Sequence, residues 1–93
     1  MLARMHFYTI LLDYAGGAYV AQMGAADQKA ALRKWLGKLR SDRIADAISE
    51  EVADAFDEAI DSPAPLTGLT GVWCVCGSAK KGPALVNIVR TAP

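Results

Sequence analysis

Alternating apolar and polar residues predict β-strands at the start of the chain. Residues 6–14 alternate well enough for one strand, and residues 19–23 follow as a second after the tandem glycines Gly16-Gly17. Tandem glycines supply the positive φ angles of a type I′ turn, so we expect a hairpin in which Tyr14 faces Tyr19. In that register one face is apolar throughout: Ile10, Leu12, Tyr14, Tyr19, Ala21 and Met23.

A helical period replaces the alternation from Asp27 onwards and predicts two helices. The apolar stripe of the first has the i, i+3, i+4, i+7 spacing of an amphipathic helix: Leu32, Trp35, Leu36 and Leu39. Ser41-Asp42 is a typical N-cap and predicts the start of the second. Its stripe is Ile44, Ile48, Val52, Phe56 and Ile60. The prolines of segment 62–65 are expected to end it, and residues 62–71 are expected to form a loop.

Two further strands are predicted over residues 72–76 and 84–90, joined by a turn over 77–83. Both are apolar on both faces, a pattern typical of central strands or of strands whose second face is covered. We therefore predict a single α+β domain over residues 1–93, with a four-stranded antiparallel sheet (ββααββ, two hairpins) and two helices packed on one face. Because two helices cannot cover both faces, we expect a homodimer through the open face of the sheet.

The charge balance limits the classes of partner. Ten basic and ten acidic residues give a net charge of zero. Attraction to nucleic acid or to an anionic membrane needs a basic excess, so we expect neither as a partner. The apolar stretch Phe7–Leu12 is too short for a membrane span or a signal sequence. We expect a cytoplasmic protein, in which Met5 could be the true start and residues 1–5 form a disordered leader.

The pair Cys74 and Cys76 admits three chemical interpretations, each weakened by its context. Structural zinc needs four ligands, and His6 lies far away in sequence. Redox motifs of the thioredoxin type place two residues between the cysteines, and a nucleophilic pair would need His6 beside a thiol. Apolar neighbours favour core cysteines, so we expect no metal and no cofactor. The alternative function is a small ligand-binding domain or enzyme with a pocket near Cys74, Cys76 and Asn87.

Charge is segregated between the two predicted helices. Residues 29–43 hold six basic side chains and one acidic, whereas residues 44–62 hold seven acidic and no basic. Two antiparallel helices with facing charged flanks would produce this pattern. The functional interpretation is an acidic surface that docks a basic protein. The candidate binding residues are Glu51, Asp54 and Glu58 on one helical face, Trp73, and Asn87, whose amide interrupts an apolar strand.

Several segments together resemble a small family of bacterial hypothetical proteins: Leu12 to Tyr19, Trp35, Val72-Trp73-Cys74 and Asn87 to Thr91. The resemblance implies an architecture and no particular chemistry. The order of strand, glycine turn, strand and alanine-rich helix is loosely similar to antitoxins of the HicB type, although the expected strand and motif before the helix, and a DNA-binding appendage, have no counterpart here. In the absence of a catalytic constellation, we expect a non-catalytic protein-interaction or regulatory module, immunity-like or antitoxin-like.

Overall fold

The computed structural model describes residues 5–42, 48–56 and 63–91. The elements along the chain are β1 (His6–Tyr14), β2 (Gly17–Ala25), α1 (Gln28–Ser41), α2 (Ser49–Phe56), β3 (Ala64–Pro65), β4 (Val72–Ala79) and β5 (Gly82–Thr91). All paired strands are antiparallel, in the order β2-β1-β5-β4-β3. The predicted α+β class is confirmed, but the sheet has five strands instead of four.

The core lies between the two helices and one face of the sheet. The predicted stripe of α1 is fully buried there, and its Trp35 ring meets the Phe56 ring of α2 edge-on at 5.8 Å. From the sheet, Ile10, Val86 and Ile88 are completely inaccessible to solvent. Gly77 of β4 lets α2 approach closely, because a Cβ atom there would lie 2.9 Å from the Ala55 carbonyl oxygen.

The β1–β2 hairpin turns one residue earlier than predicted. Ala15 and Gly16 occupy the turn with φ angles of 51° and 79°, and Tyr14 pairs with Gly17 instead of Tyr19. Gly17 serves another purpose, since a Cβ atom there would lie 3.0 Å from the Tyr19 ring. The pairing shifts by two residues, so the predicted facing pairs are wrong but each side chain keeps its predicted face.

The predicted start of the second helix is also wrong. Ser41 is the last residue of α1 and Asp42 is its C-cap, because the Ser41 hydroxyl donates to the Gly37 carbonyl and the Asp42 N–H donates to Lys38. Helix α2 is described from Ser49 to Phe56, with Val52 and Phe56 buried as its stripe predicts. The stripe residues Ile44 and Ile60 lie outside the described residues, as do positions 1–4 of the expected leader.

The predicted loop over residues 62–71 contains the additional strand β3. Ala64 pairs with Cys74 and Pro65 with Trp73, and the Leu66 N–H extends the contact to the Val72 carbonyl at 3.0 Å. Proline lacks an N–H group and is compatible with the edge of a sheet but not with its interior. A two-residue strand shows no alternation, so its sequence alone does not reveal it.

Candidate functional site

The sheet face that carries no helix among the described residues, called the open face below, is the candidate site. Strand register puts a central row of side chains on it, running across all five strands: Val20, Leu11, Asn87, Cys74 and Ala64. Of the described strand positions on this face, Asp13 alone is charged. The face is therefore nearly neutral.

Large apolar side chains are exposed on the open face. Phe7 is 52% exposed, Leu11 38% and Val20 64%, and the last two are direct partners across β1 and β2. Leu85 and Val89 of β5, both half-buried, lie diagonally across from Leu11, whose direct partner on β5 is Asn87. Exposed apolar side chains gathered on one face of a small domain form a patch that is a mark of an interaction surface.

Uncharged polar side chains interrupt this apolar surface at one end and at its centre. At one end, the Gln22 amide donates to Thr9 at 3.0 Å, and the Thr9 hydroxyl shares a 2.8 Å hydrogen bond with Thr91. At the centre, the half-buried Asn87 amide has no side-chain hydrogen bond to any described residue. Asn87 therefore presents both a donor and an acceptor to whatever contacts the face.

A shallow concavity of about 320 Å³ opens on the same face beside the β1–β2 turn. Its lining includes Leu11, Asp13, Val20, Leu85 and Asn87, together with Gly16 of the turn and Gly17 at the start of β2. The volume is at the lower end of the range that small-molecule sites occupy. Asn87 lines this concavity, whereas Cys74 and Cys76 do not. The pocket that was predicted near all three residues therefore does not correspond to this concavity.

The prediction that both cysteines belong to the core is wrong. Cys74 is half-buried and Cys76 is exposed, because both point to the open face. Burial raises the pKa of the Cys74 thiol, and the adjacent Cys76 raises it further. A raised pKa disfavours the thiolate needed for nucleophilic or redox chemistry. Within the described residues, no cluster of three or more His, Cys, Asp or Glu is arranged to hold a metal ion.

The predicted acidic site lies on the opposite side of the molecule, where Glu51 has an intramolecular partner. The buried Tyr14 hydroxyl donates to the Glu51 carboxylate at 2.5 Å and accepts from the Lys81 backbone N–H at 2.8 Å. Burial of the ring and the hydrogen bond to Glu51 both raise the pKa of Tyr14. The contact joins α2 to the turn ends of both hairpins. The sequence pattern put Tyr14 on the apolar face of the hairpin but did not reveal this hydrogen bond.

Asp54 also has a partner within the chain. It forms a 3.1 Å ion pair with Arg40 of α1, and both side chains are largely exposed. This pair matches the interpretation of facing charged helix flanks, and an exposed ion pair contributes little to stability. Glu58, the third predicted acidic residue, lies outside the described residues.

The predicted Trp73 also belongs to the helix-covered side. Its ring is half-buried, opposite Pro65 and Ile88, and it lies 6.2 Å from the Tyr8 ring. Of the predicted binding residues, Asn87 is therefore on the open face, whereas Glu51, Asp54 and Trp73 are not. Phe7, Leu11 and Val20 were missed as candidates, although the alternation puts them on the face of the hairpin opposite the predicted apolar one.

Comparisons of the chain with protein-family models, with curated proteins and with solved structures give no match. In the described part of the chain, no helix is both long enough and apolar enough to cross a membrane.

Proposed function

We propose that this protein is a non-catalytic protein-interaction module and that the open face is its docking surface. The observation that supports this proposal is the exposure of Phe7, Leu11 and Val20 on a face with a single charge among its described positions. Hydrophobic burial would drive the association, and the Asn87 amide would add specificity because it needs a matching donor and acceptor.

The predicted homodimer through this face remains a proposal, and the dimensions of the sheet set its expected strength. The four long strands are eight to ten residues each. Such strands cover a rectangle of about 30 Å by about 19 Å. The resulting area of about 570 Å² is below the roughly 800 Å² per partner of a standard interface. We therefore expect self-association that is weak and depends on concentration, favoured by the net charge of zero.

Sedimentation equilibrium over a range of concentrations tests the proposal. Leu11→Lys places a charge at the centre of the patch and should lower the weight-average mass relative to the parent chain. Leu69→Lys is the matched control, because Leu69 is 59% exposed in the loop before β4. A parent chain that stays monomeric throughout, or equal effects of the two lysines, would count against the proposal.

The interaction with a basic protein, as expected for an immunity-like or antitoxin-like role, has less support. Glu51 binds Tyr14 and Asp54 binds Arg40, so both carboxylates already have partners inside the chain. A docking role for them stays a prediction. If these carboxylates dock a basic protein, Asp54→Asn should weaken the capture of that protein and leave the fold unchanged.

The concavity beside the β1–β2 turn supports a second candidate function, the binding of a small ligand. A fitting ligand would be partly apolar with one amide-like or hydroxyl group, because Leu85 and Asn87 share the lining. Titration of the ¹⁵N-labelled protein with small amide fragments should then shift the resonances of both residues. Leu85→Trp, which fills the concavity, should abolish the shift at Asn87; a shift that persists in this variant would refute the ligand site.

A further inference from the structure

The two edges of the sheet are protected to very different degrees. One edge is formed by the two-residue β3, which contains Pro65. The other edge is β2, nine residues long, with neither charge nor proline in its sequence. Its pairing with β1 is continuous and contains no bulge. Natural proteins protect sheet edges with short strands, prolines, charges and bulges, and the sequence of β2 contains none of these. The Lys34 ammonium of α1 reaches the edge at its far end, at Gly24.

The turn geometry identifies the backbone groups that β2 presents outward. In a type I′ hairpin the residues that flank the turn, here Tyr14 and Gly17, exchange hydrogen bonds. Alternate residues of β2 therefore bond to β1, and the N–H and C=O groups of Ala18, Val20 and Gln22 point away from it. The Gly24 carbonyl belongs to the same outward set, and it accepts from the Lys34 ammonium at 2.6 Å. The contact between Lys34 and Gly24 is a second observation, independent of the turn, that the backbone groups of these alternate β2 residues point away from β1.

We infer that β2 pairs edge to edge with β2 of a second copy of this chain, in antiparallel orientation about a two-fold axis at Val20. In this register Val20 faces its own symmetry mate, and Ala18 faces Gln22 of the other copy. All outward N–H and C=O groups of the three residues then find partners, giving about six hydrogen bonds. The exposed Val20 side chains meet as a cross-strand pair of β-branched residues.

A second copy is favoured over another extended peptide because β2 is already held in the extended conformation by β1. Pairing of two pre-formed strands does not require ordering of a flexible chain, whereas a free peptide would lose conformational entropy on binding. The absence of charge on β2 also removes repulsion between identical strands. The two-fold axis is perpendicular to the sheet, so the open faces of both copies point in the same direction. The proposed docking surface would then be extended and not blocked.

Hydrogen exchange of the full chain at several concentrations, with the mass measured in parallel, tests this inference. The amides of Ala18, Val20 and Gln22 should become protected as the dimer forms. Tyr19 and Ala21 are internal controls, because their amides bond to β1 in the monomer as well. Free exchange at Ala18, Val20 and Gln22 in a sample that is dimeric would overturn the inference. So would protection of all three at every dilution, which would mean that another part of this chain covers the edge.

A pair of variants separates the edge contact from the proposed open-face contact. Val20→Pro removes the central N–H, and proline is tolerated on an edge strand. It should raise the dimer Kd about thirtyfold through the loss of two hydrogen bonds. Val20→Ala keeps the N–H and should raise the Kd at most about fivefold. Equal effects of the two variants would refute edge pairing. Because Val20 also lies on the open face, an open-face dimer would instead be weakened by Leu11→Lys and to the same extent by both Val20 variants.

Discussion

Replacement of Tyr14 by Phe removes the contact that joins α2 to both hairpins. The Tyr14 hydroxyl is buried and makes two hydrogen bonds, at 2.8 Å from the Lys81 N–H and at 2.5 Å to the Glu51 carboxylate. A neutral hydrogen bond contributes about 1 kcal/mol to the free energy of unfolding, and one to a charged group about 1.5–3 kcal/mol. Lys81 is exposed and Glu51 is half-buried, so we expect water to replace part of what the hydroxyl provides. We therefore expect a loss of about 2 kcal/mol, or about 10 °C in Tm.

Urea unfolding followed by tryptophan fluorescence measures this loss, provided that the m-value is unchanged. Tyr19→Phe is the matched control, because the half-buried Tyr19 has no side-chain hydrogen bond to a described residue. Glu51→Gln combined with Tyr14→Phe should give a coupling free energy of about 1 kcal/mol or more in a double-mutant cycle. A loss below about 0.5 kcal/mol for Tyr14→Phe, or one equal to that of Tyr19→Phe, would refute the structural role of the hydroxyl.

Three further predictions concern the space around two glycines, the alkaline titration of Tyr14 and the exposure of the two thiols. Gly77→Ala should lower the free energy of unfolding by about 1–3 kcal/mol, because the added Cβ atom meets a helix carbonyl at 2.9 Å. Gly37→Ala, with open space around it in the helix, should instead raise it by up to about 1 kcal/mol; thermal unfolding of both variants tests the contrast. The raised pKa of Tyr14 means that the folded state favours the neutral phenol, so stability is retained below pH 10 and lost as the pH rises above it. Unfolding titrations between neutral and alkaline pH should show this fall, and Tyr14→Phe should reduce its slope. In native protein a thiol reagent should modify the exposed Cys76 faster than Cys74, whose burial raises its pKa; equal rates would contradict the described exposures.

The arrangement of faces was predictable from the sequence because it depends only on period. Residues two apart in a strand share a face, so the side chains of β1 and β2 were assigned correctly even though their pairing was shifted. The stripe of α1 was equally clear, since Leu32, Trp35 and Leu39 repeat at helical spacing and are all buried. The predicted turn was one residue late because glycine can either supply the positive φ angle of a turn or leave room for a neighbouring side chain. Gly17 provides room for the Tyr19 ring, and Ala15 accepts the positive φ angle.

The candidate site was harder to predict because its residues have no distinctive chemistry. A cysteine in an apolar strand is usually buried, and the exposure of Cys76 depends on which face the helices cover. Glu51 and Asp54 were predicted to bind another protein because sequence spacing shows which side chains share a helix face. It does not show which groups of the same chain those side chains contact. Tyr14 lies 37 positions before Glu51, so only the tertiary fold reveals their hydrogen bond. The open face was predicted, through a count of helices against sheet faces, but its exposed Phe7, Leu11 and Val20 were not singled out.

Concentration-dependent NMR of the side-chain amide of Asn87 tests the docking role of the open face most directly. Asn87 is the chain's single asparagine and lies in the central row of that face, without a side-chain hydrogen bond to a described residue. As the concentration rises from about 10 µM to about 1 mM, its amide signals should shift together with the backbone signals of Leu11 and Leu85, while those of Val52, buried in the core on α2, stay unchanged. Signals of Asn87, Leu11 and Leu85 that do not move over this range would contradict self-association through the open face.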